Sequence, residues 1–303
     1  MRFMLLGLLL LNAGAIAGET PAKIKKVLLI GIDGCRPDAL EAAHTPNLDA
    51  LIKDGVLVLN TKIIGERETD ADTISGPGWS NILCGVWPDK HGVKNNEFKG
   101  SNYSAYPHFF ARLKEQRPTA FTVSLEDWEP IKRFIVSAAD IAESFVPPNK
   151  DYAISDQWMA NTACEILQNK NPDAMFIYFG NVDETGHKKV FHPDSPAYIG
   201  AIELADRQLG PVLAALRGRK TLAQEDWLIV VCTDHGGIGT NHGGGRNKPE
   251  IHDVFLIVSG PAAPKKVDGP TSHVDIVPTL LTHLGVTIKP EWKLDGRPVG
   301  VKQ

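Results

Sequence analysis

The sequence is short of sulfur. Its four cysteines, Cys35, Cys84, Cys164 and Cys232, include no C-x-x-C pair, which removes a thiolate zinc site or a redox dithiol from consideration. Four cysteines allow three complete pairings, and each sits in an apolar or element-like context, so disulfides and buried free thiols both remain open. Basic charge is also short. Lys and Arg total 32 against 36 Asp and Glu, giving a net charge of −4, and no run of basic residues occurs. A mildly acidic chain without a basic stripe has no electrostatic reason to bind a nucleic-acid duplex or an anionic membrane. No stretch beyond the N-terminus reaches the length of a membrane span. Low-complexity segments, internal repeats and linkers are lacking too.

The N-terminus reads as a processing segment. MRFMLLGLLLLNAGAIA carries one charge, Arg2, then a short apolar stretch, then Ala15-Ile16-Ala17. This is the pattern of a secretory signal peptide over residues 1–17, and the apolar core Phe3–Leu11 is too short for a membrane anchor. The expected location is periplasmic or secreted. With 43% hydrophobic residues, the remainder, 18–303, has enough apolar mass for one large core and is read as a single catalytic domain.

Continuous apolar runs alternate with helical patterns along the chain. KKVLLIGIDG, VLVLNTKII, TAFTVSL, AMFIYFG, WLIVVC and VFLIVSG read as strands, and most lack polar alternation. TPNLDALIKDG, Trp79–Val86, PHFFARLKEQ, Asp156–Asn169, Ser195–Arg217 and VDIVPTLLTHLG read as helices. The expected fold class is α/β, a three-layer α/β/α sandwich with a largely parallel central sheet.

Ligands of such sheets gather beyond the carboxyl ends of the strands. Three strand-like runs there deliver an aspartate, namely Asp33, Asp183 and Asp234, and His187, His235 and His242 follow closely. Each alone reads as a turn or surface residue. Together they supply carboxylate and imidazole ligands for a shared metal site. Six ligands exceed the three that a catalytic zinc takes from protein, so two divalent ions fit better, and a two-metal centre suits phosphoryl transfer. The ligand set suits Zn2+, with Mn2+ or iron as alternatives. Ser75, in DTISGPGWSN at the start of an apolar helix, is the candidate nucleophile, with an N-cap as its structural reading; Thr73 is the runner-up.

GIDG, GVWPDKHG, DETGH and TDHGG, in that order, resemble the alkaline phosphatase superfamily, and within it the nucleotide pyrophosphatase/phosphodiesterase branch. The resemblance spans most of the chain, from IGIDG to HVDIVPTLL. It implies that Asp33, Ser75, Asp234 and His235 ligate the metal that activates the nucleophile. Asp183, His187 and His242 would ligate the second, with His252 and His273 as alternatives to His242. Asn96, or the adjacent Asn95, would bind a phosphoryl oxygen.

Two departures are informative. The branch places a base-stacking aromatic after its nucleophile, where this chain has Gly76. Ser75-x-Pro77 is similar to the sulfatases, but Trp79 stands where those enzymes have arginine. The resemblance thus implies an exported two-metal phosphohydrolase, most simply a phosphodiesterase acting through a phospho-serine on a small-molecule phosphate ester. A phosphomonoesterase, a sulfatase-like or phosphonate hydrolase, a transferase and a non-catalytic metal-binding protein are the rival readings. Arg36 and Arg246 are candidates to grip the extra charge of a monoester.

Overall fold

The apolar run Ile24–Ile32 forms β1, buried from Lys26 onward and central in the sheet. Six strands join it: β2 (Val56–Lys62), β3 (Thr122–Glu126), β4 (Ile141–Ser144), β5 (Ala174–Phe179), β6 (Glu225–Cys232) and β7 (Asp253–Ser259), in the order β2-β7-β6-β1-β5-β3-β4. This computed structural model describes residues 22–67 and 69–301, so the predicted signal segment 1–17 lies outside the described residues. β1 pairs in parallel with β5 and β6, and β3 with β4 and β5. The expected largely parallel sheet is therefore present. Only β7 runs against the rest, paired antiparallel with β6 and β2.

Among the described residues, ten α-helices accompany the strands: α1 (Pro37–Ala42), α2 (Pro46–Asp54), α3 (Ser75–Cys84), α4 (Pro88–His91), α5 (Phe109–Gln116), α6 (Tyr152–Asn169), α7 (Asn181–Lys189), α8 (Pro196–Arg217), α9 (Pro249–His252) and α10 (Ile276–His283). Because side chains alternate along a strand, β1 feeds two cores. Leu28, Ile30 and Ile32 pack under α1, α2, α6 and α8; Val27 and Leu29 pack under α3, α5 and α10. This is the α/β/α sandwich. All four cysteines are free, three of them buried. No helix among the described residues is long and apolar enough to cross a membrane.

Two of the differences from expectation bear on the site. The helix expected from Trp79 begins at Ser75, with Ile74 rather than a serine at the N-cap. Gly76, Pro77 and Gly78 are poor helix formers, yet Pro77 falls in the first turn, where its missing N–H has no partner to lose. The helix α7 follows β5 almost directly, in a stretch for which the sequence suggested no element. It sets Asp183 and His187 one turn apart on a single face.

Candidate metal-binding and catalytic site

The carboxyl ends of β1, β5 and β6 are neighbours, and each continues into one of the expected aspartates. Asp33 still pairs its N–H with Phe179 O, 2.9 Å, so the ends of β1 and β5 stay locked together. Its Oδ2 accepts hydrogen bonds from Trp79 Nε1, 2.9 Å, and Tyr178 OH, 2.5 Å, while its Oδ1 has no partner. Asp234 Oδ1 accepts from Gly34 N at 3.2 Å, and its Oδ2 is unpartnered. Asp183 Oδ1 is likewise unpartnered. Buried polar atoms are nearly always paired, so three unpartnered carboxylate oxygens in one place suit a cationic partner.

The imidazoles complete the cluster. His235 Nδ1 lies 2.9 Å from Gly236 O, His187 Nδ1 2.9 Å from Thr240 O, and His242 Nδ1 3.2 Å from Thr73 O. A carbonyl only accepts, so each ring donates from Nδ1 and offers Nε2 to the centre, the arrangement typical of metal-binding histidines. His235 Nε2 lies 3.5 Å from Asp33 Oδ1 and 3.2 Å from Asp234 Oδ2. His187 Nε2 lies 3.4 Å from Asp183 Oδ2 and 2.9 Å from His242 Nε2. Two Nε2 atoms facing each other at that distance share a proton or lie beside a cation.

The ligand atoms of Asp33, Asp234 and His235 all fall within 4.8 Å of one another, as do those of Asp183, His235 and His242. His187 stands outside both compact triads but adjoins the second through Asp183 and His242. The residues present thus fit divalent cations in carboxylate–imidazole clusters.

Electrostatics point the same way. Burial, then the Asp183 charge, hold the Asp33 carboxyl above its ordinary range. Burial, then Asp33 and Asp183, push Asp234 well above it. Burial opposes ionisation of Asp183 too, but the His187 hydrogen bond and the neighbouring imidazoles outweigh it and its pKa falls. That bond raises His187 to about 9, whereas burial and the nearby His235 lower His242 to about 3.

Ser75 stands at the first position of α3, with Oγ 3.4 Å from His235 Nε2. Asn96 lies beside it, and its Oδ1 accepts the Gly76 N–H at 2.7 Å. That bond fixes the amide and leaves its N–H donors as what it offers. A Cβ on Gly76 would lie 2.7 Å from Asn95 O and 2.9 Å from Asn96 Oδ1, so no side chain fits there without displacing this loop. Asn95 meets the nucleophile segment through its backbone.

The remaining candidates are engaged elsewhere. Thr73 hydrogen-bonds the 242–245 loop. His252 pairs with Asp253, and His273 is a buried residue bound to Thr233 O. Arg36 donates to Asp38, Phe191 O and Gly237 O. Arg246 donates to Arg67 O. His91, bonded to Asn81 at 2.9 Å, supports α3.

A cleft of about 200 Å³ opens over Ser75, Asn96, Asp183, His187 and His242. Trp128, Tyr152 and Tyr178, which sequence reasoning passed over, also line it. Trp128 comes from an irregular segment after β3, and Tyr152 opens α6 ahead of the Asp156–Asn169 stretch whose spacing reads as helix. Tyr178 was legible in principle, as the one polar tip in the run AMFIYF.

Known proteins resemble this chain to different degrees. Human ectonucleotide pyrophosphatase/phosphodiesterase family member 7 is 26% identical over 229 residues, 70% of this chain and 47% of that protein. The bovine bis(5'-adenosyl)-triphosphatase ENPP4 is 25% identical over 252 residues, 77% of this chain and 53% of that protein. A 2,3-bisphosphoglycerate-independent phosphoglycerate mutase of Haloarcula marismortui is 29% identical over 187 residues, 60% of this chain and 32% of that protein. The chain thus spans about half, or less, of the length of these curated relatives. Among solved structures, murine ectonucleotide pyrophosphatase/phosphodiesterase 5 matches with a TM-score of 0.64 at 18% identity, over 88% of this chain and 96% of that one. A 2-O GAG sulfatase matches with a TM-score of 0.69 at 17% identity, over 90% of this chain and 73% of that one; at such identity both likenesses show the fold alone. The family model of type I phosphodiesterase / nucleotide pyrophosphatase matches residues 27–256, the stretch that carries β1 through most of β7 and every site aspartate and histidine described above, and the chain belongs to that family.

Proposed function

We propose that this chain hydrolyses small-molecule phosphodiesters, with Ser75 as nucleophile and two divalent ions, Zn2+ in the first instance, as its cofactors. The observation that carries the reading is the convergence of Asp33 Oδ1, Asp183 Oδ1 and Asp234 Oδ2, all buried and unpartnered, with three imidazole Nε2 atoms, of which that of His235 lies 3.4 Å from the Ser75 hydroxyl. Asp33, Asp234 and His235, with Ser75, would hold one ion; Asp183, His187 and His242 would hold the other. When bound, the ions supply the positive charge that lowers the pKa of a nearby hydroxyl and neutralises phosphoryl oxygens.

The chain's own residues do the positioning. Ser75 Oγ bonds to phosphorus as the bond to the leaving ester oxygen breaks. That oxygen departs as the alcohol, the hydroxyl proton of Ser75 balancing it, and water then cleaves the phospho-Ser75 to release the monoester and restore the hydroxyl. Asn96 presents its N–H donors to a phosphoryl oxygen, held in that orientation by Gly76. Trp128 and Tyr152 offer aromatic faces to the alcohol portion of the substrate. No guanidinium or ammonium lines the cleft among the described residues, which supports a singly charged diester over a doubly charged monoester. Trp79, at the position where sulfatases carry arginine, turns its indole into the core against Asp33.

Activity on bis-p-nitrophenyl phosphate is therefore expected to exceed that on p-nitrophenyl phosphate with Zn2+-loaded protein. The reverse ranking would replace the diesterase reading with a monoesterase.

A further inference from the structure

Thr73 lies two residues before Ser75 and is 3% exposed. Its hydroxyl donates to His242 O at 2.7 Å and accepts from Gly245 N at 2.8 Å. Its carbonyl accepts from His242 Nδ1 at 3.2 Å. Its neighbour Asp72 accepts the Gly244 N–H and the Thr73 N–H through Oδ1, at 2.7 and 2.8 Å. Two segments about 170 positions apart are thus joined by a continuous set of bonds.

The glycines of the 242–245 loop are shaped to this junction. A Cβ on Gly245 would lie 2.3 Å from Ile251 Cγ2 and 2.7 Å from Thr73 Oγ1, and Gly244 has φ +61°. A side chain at 245 would push the loop off Thr73, and a left-handed backbone at 244 favours glycine.

We propose that Asp72 and Thr73 form a clasp that positions His242 and holds the second ion cluster at a fixed distance from Ser75, making Thr73 a positioning residue. The inference rests on the two-ion reading above. Thr73 O fixes the His242 tautomer so that Nε2 faces the cluster, and the Thr73 hydroxyl fixes the backbone that carries the ring. Ser75 sits on the same short segment. An ion bound at His242 therefore orders the nucleophile segment, and an ordered nucleophile segment favours that ion, since such coupling is reciprocal.

Titrating chelator-stripped protein with Zn2+ against a chromophoric chelator tests this without using activity. Thr73→Val keeps the side-chain shape but leaves His242 C=O and Gly245 N–H unpaired. It should weaken one of two Zn2+ equivalents by roughly 10–100-fold and leave the other within about threefold. Thr73→Ser, which keeps the hydroxyl, should restore the weakened equivalent to within about threefold of wild type. Asp72 is exposed, so Asp72→Ala retains the fold even if Thr73→Val does not, and it should weaken the same equivalent by about three- to tenfold. Two wild-type equivalents in Thr73→Val and Asp72→Ala, equal weakening of both equivalents, or no rescue by Ser would overturn the clasp. Wild-type protein that takes up no Zn2+ would instead sink the two-ion reading, and the clasp with it.

Discussion

Asp33 shows how much of the site is decided one bond away from the ion. Trp79 and Tyr178 both donate to its Oδ2, so its Oδ1 is the oxygen turned toward His235. Tyr178→Phe keeps the ring and removes one donor. Zn2+ affinity at this cluster should fall by about 10–100-fold, read by chelator competition, with the circular dichroism spectrum unchanged. Unchanged affinity would mean that Trp79 alone orients the carboxylate. The aspartates themselves were legible because an apolar run that ends in Asp carries a positional meaning in a parallel sheet. Thr73 was read as a rival nucleophile because sequence shows only that a hydroxyl is near Ser75. Which way it points is decided by the 242–245 loop, distant in sequence. Trp128 and Tyr152 were illegible for the same reason: a bend after β3 and the first residue of α6 are brought to the cleft by contacts distant in sequence.

At the scale of elements, α3 and β1 are fitted to each other through a glycine. A Cβ on Gly31 would fall 2.2 Å from the Trp79 ring, which is fully buried. Gly31 thereby lets the Trp79 ring approach the strand backbone closely while its Nε1 reaches Asp33. Gly31→Ala should overpack this contact and cost about 1–3 kcal/mol in urea denaturation, with Zn2+ binding weakened because the indole shifts. A variant as stable as wild type would show that α3 can slide at no cost. The strands were legible because buried parallel strands are almost uniformly apolar. The start of α3 was not, since its first turn is built from residues that disfavour helix. Nor was α7, whose sequence NVDETGHKK is polar and stabilised by its place at the end of β5. The antiparallel pairing of β7 has no local signal, because strand direction is set by the path of the chain between strands.

At the scale of the molecule, acids are buried near the carboxyl edge of the sheet in excess of what the clusters use. Glu126, at the end of β3, is fully buried with Oε1 unpartnered. Burial holds its carboxyl up at about 7 against an ordinary 4.5. The folded chain binds this proton more tightly than the unfolded chain does. Its contribution to stability is complete below about pH 4.5 and is lost as the pH rises toward about 7. In chelator-treated protein, Glu126→Gln should flatten that decline when urea midpoints are compared at pH 5 and pH 7.5. An unaltered slope would assign the pH dependence to other groups.

The central claim is that two ions gathered by this sheet edge activate Ser75. Its most direct test is elemental analysis of purified wild type and Ser75→Ala, paired with turnover of bis-p-nitrophenyl phosphate. The account predicts about two equivalents of divalent metal in both proteins, with turnover in the variant lower by at least roughly a thousandfold. Comparable turnover in Ser75→Ala, or full activity in wild-type protein that carries no metal, would contradict it.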